Sequence, residues 1–135
     1  MGAWSALEAG WPIHVQELAA VVVSVTCLRP LLPGRNLLVR CDNAAVVAAM
    51  QRGVASDERL NCLLRLLHRL TGQLSLRLSA VHVPGVHNAG ADALSRNDLT
   101  RFALHIPPLS PLQKPAPAEL RSNWWREWPA LCARA

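Results

Sequence analysis

Acidic residues are scarce in this sequence of 135 residues, which carries nine of them against fourteen lysines and arginines. Three stand in apolar or turn contexts where an unpaired carboxylate is costly, namely Glu17, Asp42 and Asp92. A fold that brings carboxylates together normally neutralises them with a divalent cation. The three residues are therefore candidate ligands of a metal site.

Each carboxylate also has a structural explanation. Glu17 could be a first-turn residue stabilised by the helix dipole, and Asp42 could be the N-cap of a helix that starts at Asn43. Asp92 could be a solvated helix residue. The residue types alone leave both interpretations open.

The pattern of apolar residues predicts alternating helices and strands around these positions. Helices are predicted at 13–28, 43–52, about 57–71 and 89–95, and strands at 36–41 and about 75–83. A strand, helices and a second strand in this order form a crossover with parallel strands, which indicates the α/β class. Asp42 then closes a strand at its carboxyl end, where open sheets of this kind bind ligands.

Local signals set the expected ends and faces of these helices. The first is apolar nearly all round, so we expect it to lie against a sheet. Gly53 should end the second helix, Ser56 should cap the third, and Gly72 should end it. One face of the third helix should be buried through residues with i, i+3, i+4 spacing: Leu60, Leu63, Leu64, Leu67 and Leu70.

The length and composition favour one packed domain, since 51% of the residues are hydrophobic and 17% are charged. We expect a globular domain over residues 1–104, a proline-rich linker over 105–117 and a tryptophan-containing segment over 118–135. The longest apolar run without charge, Leu18 to Leu28, is shorter than the ~20 residues of a membrane span, and no signal peptide is visible. These features predict a soluble, intracellular protein, either cytoplasmic or nuclear.

The net charge of +5 comes almost entirely from arginine, which binds phosphates through paired hydrogen bonds. Such a charge suits a nucleic-acid partner, although a solvated basic surface would look the same. The four cysteines show no C-x-x-C pairing, and three lie in apolar stretches. We interpret them as buried, reduced thiols outside any zinc site or disulfide framework.

Three stretches resemble the ribonuclease H domains of retrotransposons: IHVQELAAVV (13–22), LVRCDNAAVVAAMQRG (38–53) and VHVPGVHNAGADALSR (81–96). They are most similar to DIRS-type elements. The last stretch also shares the pattern P-G-x-x-N-x-x-A-D-x-L-S-R with gypsy-type elements. The three motifs occur in the same order, with compatible spacing, over about residues 4–96.

The resemblance implies a fold, a site and a substrate. Glu17, Asp42 and Asp92 correspond to three of the carboxylates that, with an aspartate on the first strand, hold two Mg²⁺ ions in the family. Those ions support hydrolysis of the RNA strand of an RNA–DNA hybrid. Asn43 and Gln51 would lie near the groove of the hybrid. His87 and Asn88 would lie in the loop before Asp92, where some members use a histidine to help product leave, although the retrotransposon loop is short and often has another polar residue there.

The sequence departs from the family at its N-terminal end. Members open with a three-stranded antiparallel meander whose first strand bears the aspartate, but only sixteen residues precede Glu17 and none is aspartate. We therefore expect a ribonuclease H-like fold that lacks most of this meander and retains two parallel strands with their helices. Such a chain would be inactive alone and would need the missing strands from a longer polyprotein or a partner. The alternative is a non-catalytic remnant that acts at most as a basic nucleic-acid-binding or interaction module.

Overall fold

Three α-helices and two parallel β-strands make up the part of the chain that the structure, a computed structural model, describes, residues 10–89. They are α1 (Ile13–Cys27), β1 (Asn36–Cys41), α2 (Ala44–Arg52), α3 (Glu58–Gln73) and β2 (Arg77–His82). Short 3-10 helices cover Arg29–Leu31 and Gly85–His87. The predicted α/β class is confirmed for these residues.

Several expectations fall on residues outside that range. They are Asp92, the late helix beyond Ala89, the domain boundary near residue 104, the linker at 105–117 and the segment at 118–135. The first nine residues are outside it as well.

The two strands form one parallel sheet, as the strand–helix–strand order predicts. Their register runs from Asn36 opposite Arg77 to Cys41 opposite His82. The backbone N–H of Val83 donates to the carbonyl of Cys41 at 2.9 Å and extends the ladder by one bond. Within residues 10–89 no other strand pairs with β1, so one of its edges lacks a strand partner there.

A single apolar core joins the three helices to the inner face of the sheet. Helix α1 lies along α3 and also contacts α2. Leu18 of α1 and Leu63 of α3 are completely buried. The five leucines predicted for the inner face of α3 are all buried, which confirms that prediction. Only three residues of α1 are exposed, in agreement with its apolar composition: Ile13, Ala20 and Ser24.

The ends of α3 differ from the sequence prediction. Its N-cap is Asp57, whose carboxylate accepts the backbone N–H of Arg59 at 2.9 Å, and Ser56 does not fill this role. The helix also continues through Gly72, because the backbone N–H of Leu74 still donates to the carbonyl of Leu70. The left-handed conformation that follows falls on Ser75, with φ of 50°. A glycine permits a helix end without imposing one.

The end of α2 agrees with the prediction. Gly53 takes the left-handed conformation with φ of 73°, and its N–H donates to the carbonyl of Ala49. A Cβ at this position would lie 3.2 Å from Nε2 of His68, so both the backbone conformation and the available space favour glycine.

Among the helices of residues 10–89, none combines the length and the apolar character that crossing a bilayer requires.

Candidate metal centre

Asp42 follows the last residue of β1 and so lies at the carboxyl end of the sheet. It is not a helix cap. Oδ1 of the next residue, Asn43, accepts the N–H groups of Ala45 at 3.0 Å and Val46 at 3.3 Å. Asn43 thus satisfies the start of α2 and leaves the carboxylate of Asp42 available for another role.

Glu17 reaches the same place from α1. It is the fifth residue of that helix, and no acidic residue lies in the first turn, so the helix-dipole explanation for Glu17 is wrong. Its side chain is half-buried, and Oε2 lies 3.6 Å from Sγ of Cys41. The packing of α1 against the helices and the sheet therefore places a carboxylate at the end of β1.

Three side chains converge at this point. Glu17, Cys41 and Asp42 each offer one ligand atom, and these atoms all lie within 4.8 Å of one another. Cys41 is a neighbour that the sequence interpretation missed. Burial alternates along β1, and Cys41 falls on the inner face with Leu37 and Val39, which is the signal that could have placed it on that face.

The surroundings of Glu17 disfavour its charged form. Burial, and next the negative charge of Asp42, raise the pKa of Glu17, while hydrogen bonds with Cys41 and Asn43 and the charge of His14 act in the opposite direction. Burial also raises the pKa of the Cys41 thiol, which therefore stays protonated near neutral pH and donates its hydrogen bond to Glu17. Burial and the neighbouring charge of Asp42 thus favour the protonated form of Glu17.

The loop after β2 lies beside Asp42. A Cβ at Gly85 would be 3.6 Å from Oδ2 of Asp42, and Nε2 of His82 lies 3.2 Å from the backbone carbonyl of Asp42. His87 ends the short 3-10 helix in this loop and is exposed, and the half-buried Asn88 follows it. The loop that carries His87 and Asn88, two of the four predicted substrate residues, thus passes beside the carboxylate of Asp42.

Gln51 has a structural role that the sequence did not reveal. Its Nε2 donates to the backbone carbonyl of Ala80 at 2.9 Å and so ties α2 to β2. Because this bond occupies the amide group, Gln51 is a poorer candidate for a substrate contact than the sequence interpretation implied.

A second polar cluster links the start of α1 to the start of α3. Asp57 accepts from Arg59 at 3.1 Å and contacts Nε2 of His14 at 3.2 Å. Hydrogen bonds, first from Arg59 and then from His14, hold the pKa of Asp57 well below its ordinary value. Asp57 thus acts as a helix cap and ion-pair partner, and it is not one of the three side chains that converge at the end of β1.

The cysteines of the described range agree in part with the sequence interpretation. None of Cys27, Cys41 and Cys62 forms a disulfide. Only Cys41 is buried, however, whereas the other two are half-buried.

We expect Glu17→Gln to raise the free energy of unfolding at pH 7 without divalent cations, by about 0.5–1 kcal/mol. A carboxyl group with a raised pKa contributes most to stability when protonated, and that contribution is lost as the pH rises through its folded pKa. The amide mimics the protonated form. The advantage of the variant should therefore disappear as the pH falls through the folded pKa of Glu17, which urea unfolding at several pH values would measure.

Glu58→Gln is the matched control, since the Glu58 side chain is 76% exposed and paired with Arg65. This variant should be no more stable than the original chain at pH 7. A gain as large as that of Glu17→Gln would mean that general charge effects, and not the repulsion at the site, explain the result.

The fold and the site together define an α/β chain with a carboxylate and thiol cluster at the carboxyl end of a parallel sheet. Comparisons of this chain with protein-family models, curated proteins and solved structures found no match.

Proposed function

We propose that this chain is part of a retrotransposon-derived ribonuclease H-like domain, a class that hydrolyses the RNA strand of RNA–DNA hybrids with Mg²⁺. The observation that carries the proposal is the convergence of Glu17 and Asp42 from separate elements at the carboxyl end of β1. Both residues were singled out by the motifs of that family. The parallel order of β1 and β2 is compatible with such a fold.

The donor set fits one Mg²⁺ ion. Mg²⁺ prefers oxygen ligands and is commonly held by one or two carboxylates together with water, and Glu17 and Asp42 supply two carboxylates. Cys41 would remain a protonated neighbour that orients Glu17, because a thiol is a poor ligand for this hard ion. A second ion would need further carboxylates, and Asp92 is the proposed source.

The chemistry of the family divides between the ions and the protein. Mg²⁺ held by Glu17 and Asp42 would lower the pKa of an attacking water and stabilise the leaving oxygen. The residues of this chain would position the ligands. Asn43 fixes the start of α2 beside Asp42, and the close approach of Gly85 to Asp42 brings the loop with His87 and Asn88 beside that carboxylate. Asn43, also proposed to contact the hybrid, already uses Oδ1 as a cap.

A second function is favoured by a different observation. Residues 10–89 contain eight arginines and four carboxylates. A non-catalytic remnant that acts as a basic nucleic-acid-binding module would bind through this excess of positive charge.

Titration of the full chain with Mn²⁺, followed by calorimetry, tests the metal centre. We expect one weak site, because two carboxylates and no preformed cage hold the ion. Asp42→Asn should weaken binding about tenfold or more, since it removes one of the two charges that attract the cation.

Glu58→Gln makes the same change of charge at an exposed position and should leave the titration unchanged. Equal loss in both variants, or unchanged binding in Asp42→Asn, would contradict a metal centre at the end of β1.

A further inference from the structure

The outer face of the sheet is exposed and positively charged. The side chains of β1 and β2 that point away from the helices form this sheet face, and all are exposed: Asn36, Leu38, Arg40, Arg77, Ser79 and Val81. Leu38 is 56% exposed and Val81 is 38% exposed. The sheet face thus joins two arginines to an apolar centre.

The arginines of the sheet face form no ion pair within residues 10–89, whereas two of the three arginines of α3 do. Arg59 pairs with Asp57 at 3.1 Å, and Arg65 pairs with Glu58 at 2.9 Å. Arg40 and Arg77 form no ion pair with any residue of the 10–89 range.

Asp42 is the carboxylate that lies nearest along the chain, two residues beyond Arg40. Its ligand atom is within 4.8 Å of those of Glu17 and Cys41. It therefore belongs to the metal centre, and the sheet face has a net positive charge up to that end.

The spacing of the two arginines suits an extended polyanion. Arg40 is opposite Val81 and Arg77 is opposite Asn36, so the arginines lie four residues apart along the strands and one strand apart across them. This corresponds to about 14 Å between their Cα atoms. A nucleic-acid strand carries phosphates at a regular spacing and can contact both guanidinium groups at once.

We propose that the sheet face binds the phosphate backbone of a nucleic-acid strand. No aromatic residue lies on the sheet face, so binding depends on phosphates and is independent of base sequence. A backbone that crosses from Arg77 to Arg40 continues towards Asp42. The inference does not rest on the proposed function, since the arginines can bind a backbone whether or not the carboxylates hold a metal ion.

Fluorescence anisotropy with the full chain and a labelled oligo-dT of sixteen nucleotides tests this inference. The double variant Arg40→Gln/Arg77→Gln should bind about tenfold more weakly at low salt, and the slope of log K against log salt should fall by about 1.4, or about 0.7 for each lost phosphate contact. Arg65→Gln/Arg69→Gln removes the same charge from α3 and should change affinity less than about threefold.

Two further measurements do not depend on the fold of a variant. In the original chain, bound oligonucleotide should protect Arg40 and Arg77 from phenylglyoxal while Arg69 stays reactive. Polyglutamate of equal charge should compete poorly with the oligonucleotide.

Equal loss of binding in the two double variants, no protection of Arg40 and Arg77, or equal competition by polyglutamate would each overturn the proposal. An RNA–DNA hybrid of the same length, used as a second probe, shows whether the sheet face also accepts a duplex. If the titration shows no Mn²⁺ site but the oligonucleotide binds as expected, the proposed metal centre would be wrong, and the proposed role of the sheet face would stand.

Discussion

The 135-residue chain should cut an RNA–DNA hybrid in Mg²⁺ at a rate indistinguishable from background. The proposed site has three carboxylates, Glu17, Asp42 and Asp92, where the family it resembles uses four. Two Mg²⁺ ions a few ångströms apart repel each other strongly, and each missing negative charge makes double occupancy more costly. The loss of a bridging carboxylate should therefore reduce cleavage by orders of magnitude.

Addition of an N-terminal three-stranded meander with its aspartate, as in the family that the chain resembles, should confer cleavage, because it would supply a fourth ligand and a further strand together. Asp42→Asn in the extended chain should abolish cleavage while hybrid binding changes little, since the side chain keeps its size and loses its charge. Gel assays of cleavage and anisotropy of binding measure the two effects. Mg²⁺-dependent cleavage by the unextended chain that disappears with Asp42→Asn would show that three carboxylates suffice.

Leu63→Ala should have the largest effect on stability. Leu63 is completely buried in the core between α3 and its neighbours, and removal of a buried leucine side chain costs about 2–5 kcal/mol. Small domains have only about 5–15 kcal/mol of stability in total, so a loss of this size is a large share of it. Far-UV circular dichroism at 37 °C should show a largely unfolded variant.

Leu31→Ala is the matched control, because the same side chain is removed from a position that is 43% exposed. Its urea midpoint should shift much less than that of Leu63→Ala. Equal shifts would mean that the core does not form around α3 as described.

The features that the sequence predicted well depend on local periodicity. The spacing of the leucines in α3 is a property of one helix, so it identifies the buried face without knowledge of the rest of the fold. The position of Asp42 follows in the same way, because the strand before it and the helix after it are both visible in the sequence.

The features that the sequence missed depend on contacts between distant residues. Gln51 bonds to Ala80, twenty-nine positions away, and His14 contacts Asp57, forty-three positions away. Cys41 joins the candidate cluster with Glu17 and Asp42 only because α1 brings Glu17 to the end of β1. Periodicity gives the inward direction of Cys41 but not the identity of the side chain that it faces, which tertiary packing determines.

The parallel pairing of β1 and β2 has a consequence for how the chain folds. Each residue of β1 pairs with one 41 positions later, the difference between 36 and 77. No hairpin can bring these strands together, because α2 and α3 lie between them along the chain, and such non-local pairing folds slowly. During synthesis on the ribosome, β1 emerges before β2 does. Until β2 follows, β1 has no strand partner and its apolar residues are exposed. The segment is therefore a natural binding site for chaperones that hold nascent chains.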